Sequence, residues 1–189
     1  MKARLLICAL LLSATTRAAS PKEIRTSLIR LVSLSDNLKP IGKVIDLVYG
    51  CGLEKEIPIS CPLKDPFRTS SPYGMRKHPI SGKTSFHSGV DLAVEFATPV
   101  FATANGTVVH AGRKGGYGRC VIIQHSHGYS TLYGHLAAYY TTAGKEVKKG
   151  DAIGFVGSTG RSTGNHLHYE VKKNNKPVSP IWYDYDNKK

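Results

Sequence analysis

The chain has 189 residues, 41% of them hydrophobic, with 26 Lys and Arg against 13 Asp and Glu and a formal net charge of +13. That length suits one catalytic domain plus an extension, and no repeat or low-complexity segment stands out. The basic residues are scattered rather than clustered. This argues for a solubilising surface with some affinity for polyanions, and against a dedicated nucleic-acid-binding face.

The first 18 residues read as a secretory signal. Lys2 and Arg4 open it, Leu5 to Leu12 forms an apolar run, and small and polar residues follow up to Ala18 and Ala19. The run is far shorter than the ~20 residues a membrane span requires. Cleavage is expected after Ala18 or Ala19, and the bulky Ile7 before Cys8 argues against lipidation. Loss of residues 1–18 removes Lys2, Arg4 and Arg17 and leaves a net charge of +10, which would draw an exported protein towards an anionic cell envelope.

Residues 19–60 form a helical N-terminal extension on this reading. Ser20-Pro21-Lys22-Glu23 carries an N-cap serine, a proline at the first helical position and a capping-box glutamate. Ile24, Leu28, Leu31, Val32 and Ser35 follow one helical face, and Ile41, Val44, Ile45 and Val48 resume the pattern after the break at Pro40. Two short amphipathic helices are predicted, Ser20–Leu38 and Ile41–Tyr49. They would act as a brace against the domain or as a regulatory arm over its cleft.

Cys51 and Cys61 enclose a short loop and are expected to pair in an oxidising compartment, leaving Cys120 buried in a strand; three free thiols are the alternative. The absence of any Cys-x-x-Cys spacing argues against a cysteine-based zinc site.

From Cys61 the pattern turns to β. Gly and Pro are spread along the chain. Pro99–Ala102, Gly106–His110, Val121–His125, Tyr129–Tyr133 and Lys149–Gly154 are short apolar, β-branched or aromatic runs bounded by turns. The fold class is therefore mainly β: a small antiparallel domain over residues 61–189, arranged as a barrel or as two sheets, with the α-helical extension at its N-terminus.

The chemistry sits in two motifs, His87-Ser88-Gly89-Val90-Asp91 and His166-Leu167-His168, with His135 between them. Side chains two or four apart on a strand share a face. His166 and His168 would thus face a cleft while Leu167 enters the core, and His87 and Asp91 would align if their segment is one extended strand. His87, Asp91 and one of His166 or His168 make a three-ligand set of mixed nitrogen and oxygen. Such a set suits catalytic zinc with an open fourth position, although manganese and iron use similar ligands. His125-Ser126-His127 repeats the spacing but lies at a hairpin turn, where His127 is expected to be exposed. His78 and His110 lack a partner motif.

The stretch from Thr69 to Val178 resembles the LytM/lysostaphin-type zinc endopeptidases, the M23 peptidases. Its segments come in the family's order: Ser71–Arg76 leading to His78-Pro79, Phe86–Ala93, Pro99-Val100, Ala104–Val109, Gly116–Gly118, Thr131–Leu136 and Gly157–Glu170. The resemblance does not reach residues 1–60. It implies a LytM-like antiparallel domain with an open groove. It implies zinc held by His87, Asp91 and His168, and catalysis by His135 and His166. It also implies a secreted or periplasmic endopeptidase that cuts peptide cross-links of bacterial peptidoglycan. A catalytically silent scaffold or hydrolase activator of the same fold is the alternative. None of the five site residues is replaced, which favours the enzyme.

Overall fold

The computed structural model describes residues 20–35, 52–77 and 84–182. The signal segment, the helix expected at Ile41–Tyr49, Cys51 with its expected pairing to Cys61, His78 and the C-terminal tail lie outside the described residues. Among those described, no helix is long and apolar enough to cross a membrane.

The first helix, α1, spans Pro21–Leu34. Its capping box forms as expected: the Ser20 hydroxyl accepts from the Glu23 amide at 3.3 Å, and the Glu23 carboxylate accepts from the Ser20 amide at 2.8 Å. The helix ends at Leu34 rather than Leu38, because Ser35 turns extended at φ −98°, ψ 130°. Serine tends to hydrogen-bond nearby backbone and propagates a helix poorly. Leu28, Leu31 and Val32 are buried. The ammonium of Lys173, itself 2% exposed, donates to the carbonyls of Val32 and His127 and so satisfies one carbonyl of the last helical turn. Arg25 pairs with Glu56 at 2.5 Å, and Glu56 also meets His127 at 2.9 Å. His127 is therefore not the exposed turn residue its position suggested: its ring is half-buried by this contact, while Ser126 and Gly128 on either side remain exposed.

Thirteen strands follow: β1 (Arg68–Ser71), β2 (Gly74–Lys77), β3 (Thr84–His87), β4 (Val90–Ala93), β5 (Pro99–Phe101), β6 (Gly106–Arg113), β7 (Arg119–His125), β8 (Tyr129–Gly134), β9 (Ala138–Tyr139), β10 (Glu146–Val147), β11 (Ala152–Phe155), β12 (His166–Lys173) and β13 (Lys176–Val178). An eight-stranded sheet runs β1-β4-β12-β8-β7-β6-β10, with β13 paired to β12. A three-stranded sheet β5-β11-β9 and the hairpin β2-β3 complete the domain. Every pairing is antiparallel. The arrangement is of sheets, as one of the two expected alternatives had it.

β12 lies between β4 and β8, and its alternation sorts its side chains. Leu167, Tyr169 and Val171 are fully buried on the core face, with Leu92, Ile123 and Tyr133 in the same cluster. Leu53, Ile57 and Ile59 belong to that cluster too and are fully buried. A buried polar chain crosses this core. The Tyr169 hydroxyl meets Thr103 Oγ1 at 2.9 Å, Thr103 Oγ1 meets the Tyr133 hydroxyl at 2.9 Å, and that hydroxyl lies 3.2 Å from Thr131 Oγ1. Thr131 Oγ1 in turn meets His125 Nε2 at 2.8 Å, and His125 Nδ1 reaches the Asn105 carbonyl at 2.8 Å. His125 thus serves the core and takes no part in the cleft.

Candidate active site

The register of β12 assembles the site. His168 stands opposite Asp91 on β4 and opposite Gly134 at the end of β8. His135 follows directly in a left-handed conformation, φ 60°. Its amide is held by the Tyr117 carbonyl at 2.8 Å, and the bend turns its side chain from the strand path into the cleft. His87 and Asp91 do not share one extended strand, as the spacing suggested. His87 ends β3, Asp91 lies in β4, and a bend at Ser88-Gly89 separates them. A Cβ on Gly89 would stand 2.4 Å from the Tyr169 carbonyl oxygen. Only glycine lets this bend press against β12, and that approach carries His87 over Asp91.

Three ligand atoms converge. His87 Nε2 is 3.2 Å from His168 Nδ1 and 3.3 Å from Asp91 Oδ1, and His168 Nδ1 is 2.7 Å from Asp91 Oδ1. Among the described residues these three form the group that could hold a metal ion. Metal–ligand bonds of about 2.0–2.2 Å at tetrahedral angles separate ligand atoms by about 3.4 Å. Two of the three separations match that value, and the third closes slightly tighter. The donor set fits zinc, with a side left open to the cleft.

Each imidazole is aimed by its other nitrogen. His87 Nδ1 donates to the Pro72 carbonyl at 2.8 Å, which leaves Nε2 unprotonated towards the cluster. His168 Nε2 meets Glu170 Oε1 at 3.1 Å, which leaves Nδ1 to face Asp91. Such outer partners fix the tautomer and raise the basicity of a ligating imidazole. Glu170 also accepts from the hydroxyls of Tyr117, at 2.8 Å, and Ser88. Burial works to raise the Asp91 carboxyl, but hydrogen bonds and charge from His168 and His87 outweigh it and hold the group well below the usual carboxylate range. The same contest at His168 ends in a raised proton affinity: burial opposes it, while Asp91 and Glu170 prevail. That affinity resides at the lone pair a cation would use. Burial and the neighbouring Glu170 push Tyr117 up to about 12, so its hydroxyl remains a donor.

Beside the cluster stand two further histidines. The rings of His135 and His166 lie 4.6 Å apart, centroid to centroid. His135 Nδ1 donates to the Thr159 carbonyl at 2.7 Å, and His166 Nδ1 donates to the Gly164 carbonyl at 2.8 Å. Both therefore keep Nε2 for the cleft, and His166 Nε2 is 3.8 Å from Asp91 Oδ1. Burial pulls His135 down to about 4, so it is neutral near pH 7. The cleft encloses about 740 Å³, and Arg76, Phe86, Tyr117 and Arg161 line it with the five site residues. No residue of α1 does so. His110 lies outside the cleft.

The structure brings all five sequence-predicted residues together. Sequence reasoning missed Glu170 and Tyr117 as supports, although Glu170 shares the alternating face of His166 and His168. It also missed the Pro72, Thr159 and Gly164 carbonyls, which no side-chain pattern reports.

The family model for Peptidase family M23 matches residues 85–180. The chain is 53% identical over 114 residues to the DD-carboxypeptidase/endopeptidase Mpg of Neisseria meningitidis, covering 60% of this chain and 26% of that protein. Among solved structures it is similar to a zinc-containing peptidase from Vibrio cholerae, with TM-score 0.62, 34% identity, and coverage of 68% of this chain and 41% of that one. It is also similar to the catalytic domain of lysostaphin from Staphylococcus simulans, with TM-score 0.55, 33% identity, and coverage of 60% and 89%. The chain spans about a quarter of the length of the curated relatives it matches. A match over half the chain, falling on the strands that carry the histidine and aspartate cluster, places the protein in peptidase family M23.

Proposed function

We propose that the protein is a zinc metalloendopeptidase that hydrolyses peptide cross-links of bacterial peptidoglycan, with His87, Asp91 and His168 as the zinc ligands and His135 and His166 as the catalytic pair. The observation that carries this reading is the convergence of three ligand atoms beside two imidazoles whose free Nε2 atoms face the same cleft. The substrate class follows from relatives named as peptidoglycan DD-endopeptidases, such as ShyA of Vibrio cholerae, 38% identical over 121 residues.

Bound zinc would polarise the scissile carbonyl and lower the pKa of a coordinated water towards ~7. The histidines manage the protons. Each is presented with Nδ1 occupied and Nε2 available, so one can take the proton of the attacking water and pass it to the departing amine. The other, carrying a proton, can donate to the oxyanion of the tetrahedral carbon. The amide C–N bond breaks, and a carboxylate and an amine result. Because such cross-links lie outside the cytoplasm, residues 1–18 are read as an export signal, and the net positive charge as an aid to retention on an anionic envelope.

Mass spectrometry of muropeptides released from purified sacculi tests this reading. Zinc-loaded wild type is expected to release cross-link fragments. His166→Ala is expected to keep one zinc per chain by elemental analysis while its rate falls by roughly 10²- to 10⁴-fold. A wild-type protein that binds zinc yet releases no fragments would instead support a silent scaffold of the same fold.

A further inference from the structure

The charges in the cleft do not balance. Of the described residues that line it, Asp91 is the one acid, whereas Arg76 and Arg161 are both basic. Asp91 is already engaged: Oδ1 belongs to the metal cluster, and Oδ2 faces the Arg76 guanidinium at 3.6 Å. Arg76 is thereby tied to a ligand. Arg161 is not, for no carboxylate among the described residues pairs with it.

Arg161 is also held in place at its base. Its amide donates to the Gly116 carbonyl at 2.9 Å. Gly160 before it sits at φ 75°, where an added Cβ would stand 2.3 Å from the Gly118 amide nitrogen. The loop is thus clamped against the Gly116–Gly118 turn. The stem of Arg161 passes over Gly116, its Cβ and Nε each 3.9 Å from where a Cβ on that glycine would be. The side chain itself is exposed, and the planar fork of a guanidinium matches a carboxylate in two-pronged fashion.

Resting on the peptidase reading above, we infer that the cleft is built for a peptide with a free carboxylate beside the scissile bond, and that Arg161 is the residue that reads it. Behind the lining the buried Glu170 is offset by Lys172, so with a divalent cation in place two arginines and the metal stand against the committed Asp91, a field that draws in anionic peptides and gives no advantage to neutral ones. Arg161 acts in substrate choice and leaves proton transfer to His135 and His166.

The test uses two peptides ending in D-alanyl-D-alanine, identical except that one carries a free C-terminal carboxylate and the other a carboxamide. Cleavage is followed with zinc-loaded full chain, and binding is measured calorimetrically with the His166→Ala variant. Wild type is expected to prefer the acid by on the order of 10- to 100-fold in kcat/KM, the value of one charge-assisted contact. Arg161→Gln is expected to erase that preference mainly through KM, the rate on the acid falling much further than the rate on the amide. Equal cleavage of the two peptides by wild type, which needs no variant to fold, overturns the inference and leaves the peptidase reading intact. An equal fall of both rates in Arg161→Gln also overturns it. Binding that favours the acid and depends on Arg161, in a protein that cuts neither peptide, would sustain the inference while the peptidase reading fell.

Discussion

Glu170 is fully buried and yet stays charged. Burial alone would push its carboxyl up, but donors on His168, Ser88 and Tyr117 outweigh that and hold it well below the usual carboxylate range. Lys172 adds its ammonium 3.1 Å from Oε2. A carboxylate so supported fixes the His168 tautomer with Nε2 protonated and makes Nδ1 the stronger donor to a metal. Glu170→Gln preserves the shape and removes the charge. Its zinc affinity, measured by competition with a chelator, is expected to fall by about 10- to 100-fold, with the circular dichroism spectrum unchanged. An unaltered affinity would show that Glu170 is merely packing. At the same scale, short strand spacings marked His87, Asp91, His166 and His168 as candidates, but His125-Ser126-His127 repeats the spacing without entering the cleft, and His135 gained its role only from the family resemblance. The spacing alone left His166 and His168 interchangeable. In the structure the two rings differ in what lies behind each, Glu170 behind His168 and the Gly164 carbonyl behind His166, and the proposed division of roles is consistent with that difference.

At the level of elements, the β character, the antiparallel pairing and the start of α1 were all readable from turn residues, β-branched runs and a capping box. Two features were not. The bend at Ser88-Gly89 hides inside what reads as one continuous strand, because the reason for it, the Tyr169 carbonyl pressed against Gly89, lies 80 residues away in the chain. Likewise, residues 52–60 look like the end of an extension, with Pro58 and no periodicity. Leu53, Ile57 and Ile59 nevertheless sit in the same core cluster as Tyr133 and Leu167, and the Lys55 carbonyl accepts from the Asn105 amide at 2.7 Å. A chain beginning at Cys61 would lose three fully buried side chains, together worth roughly 4–9 kcal/mol, comparable to the whole stability of a small domain. It is expected to be unfolded, or to melt far below a chain beginning at Gly52; equal melting temperatures by calorimetry would refute this. The Gly52 chain itself gives up the buried Leu28, Leu31 and Val32, so its activity is to be compared with that of the full chain below the melting temperature calorimetry finds for it. Since no residue of α1 lines the cleft, we expect removal of α1 to leave peptide cleavage unchanged, and a several-fold rise in kcat/KM for the Gly52 chain would restore the idea of a regulatory arm.

The whole molecule carries a net charge of +13, so acid adds repulsion to an already positive chain, and the buried His125 gives that response a defined point of entry. Burial pulls this imidazole down to about 4, against a partial restoring effect from the Asn105 carbonyl. Both nitrogens are engaged, and a second proton would place a charge in the chain of hydroxyls that crosses the core, with Thr131 Oγ1 accepting from the new N–H. The folded state therefore resists a proton that the unfolded state accepts near pH 6.5. For a group whose folded pKa is lowered in this way, the unfolded chain binds more protons between the two values. Stability is then fully present above about pH 6.5 and declines as the pH falls towards 4. At pH 5 the loss from this residue is about 2 kcal/mol. His135 titrates in the same direction and His168 in the opposite one, but both are shared by wild type and a His125→Gln variant and cancel in the difference between them. For metal-free protein, the wild-type melting temperature is expected to drop more steeply from pH 7.5 to pH 5 than that of His125→Gln, even though the variant starts lower. Parallel declines would place the acid sensitivity elsewhere, in the general repulsion among the basic residues, and raising the ionic strength would then flatten both curves alike.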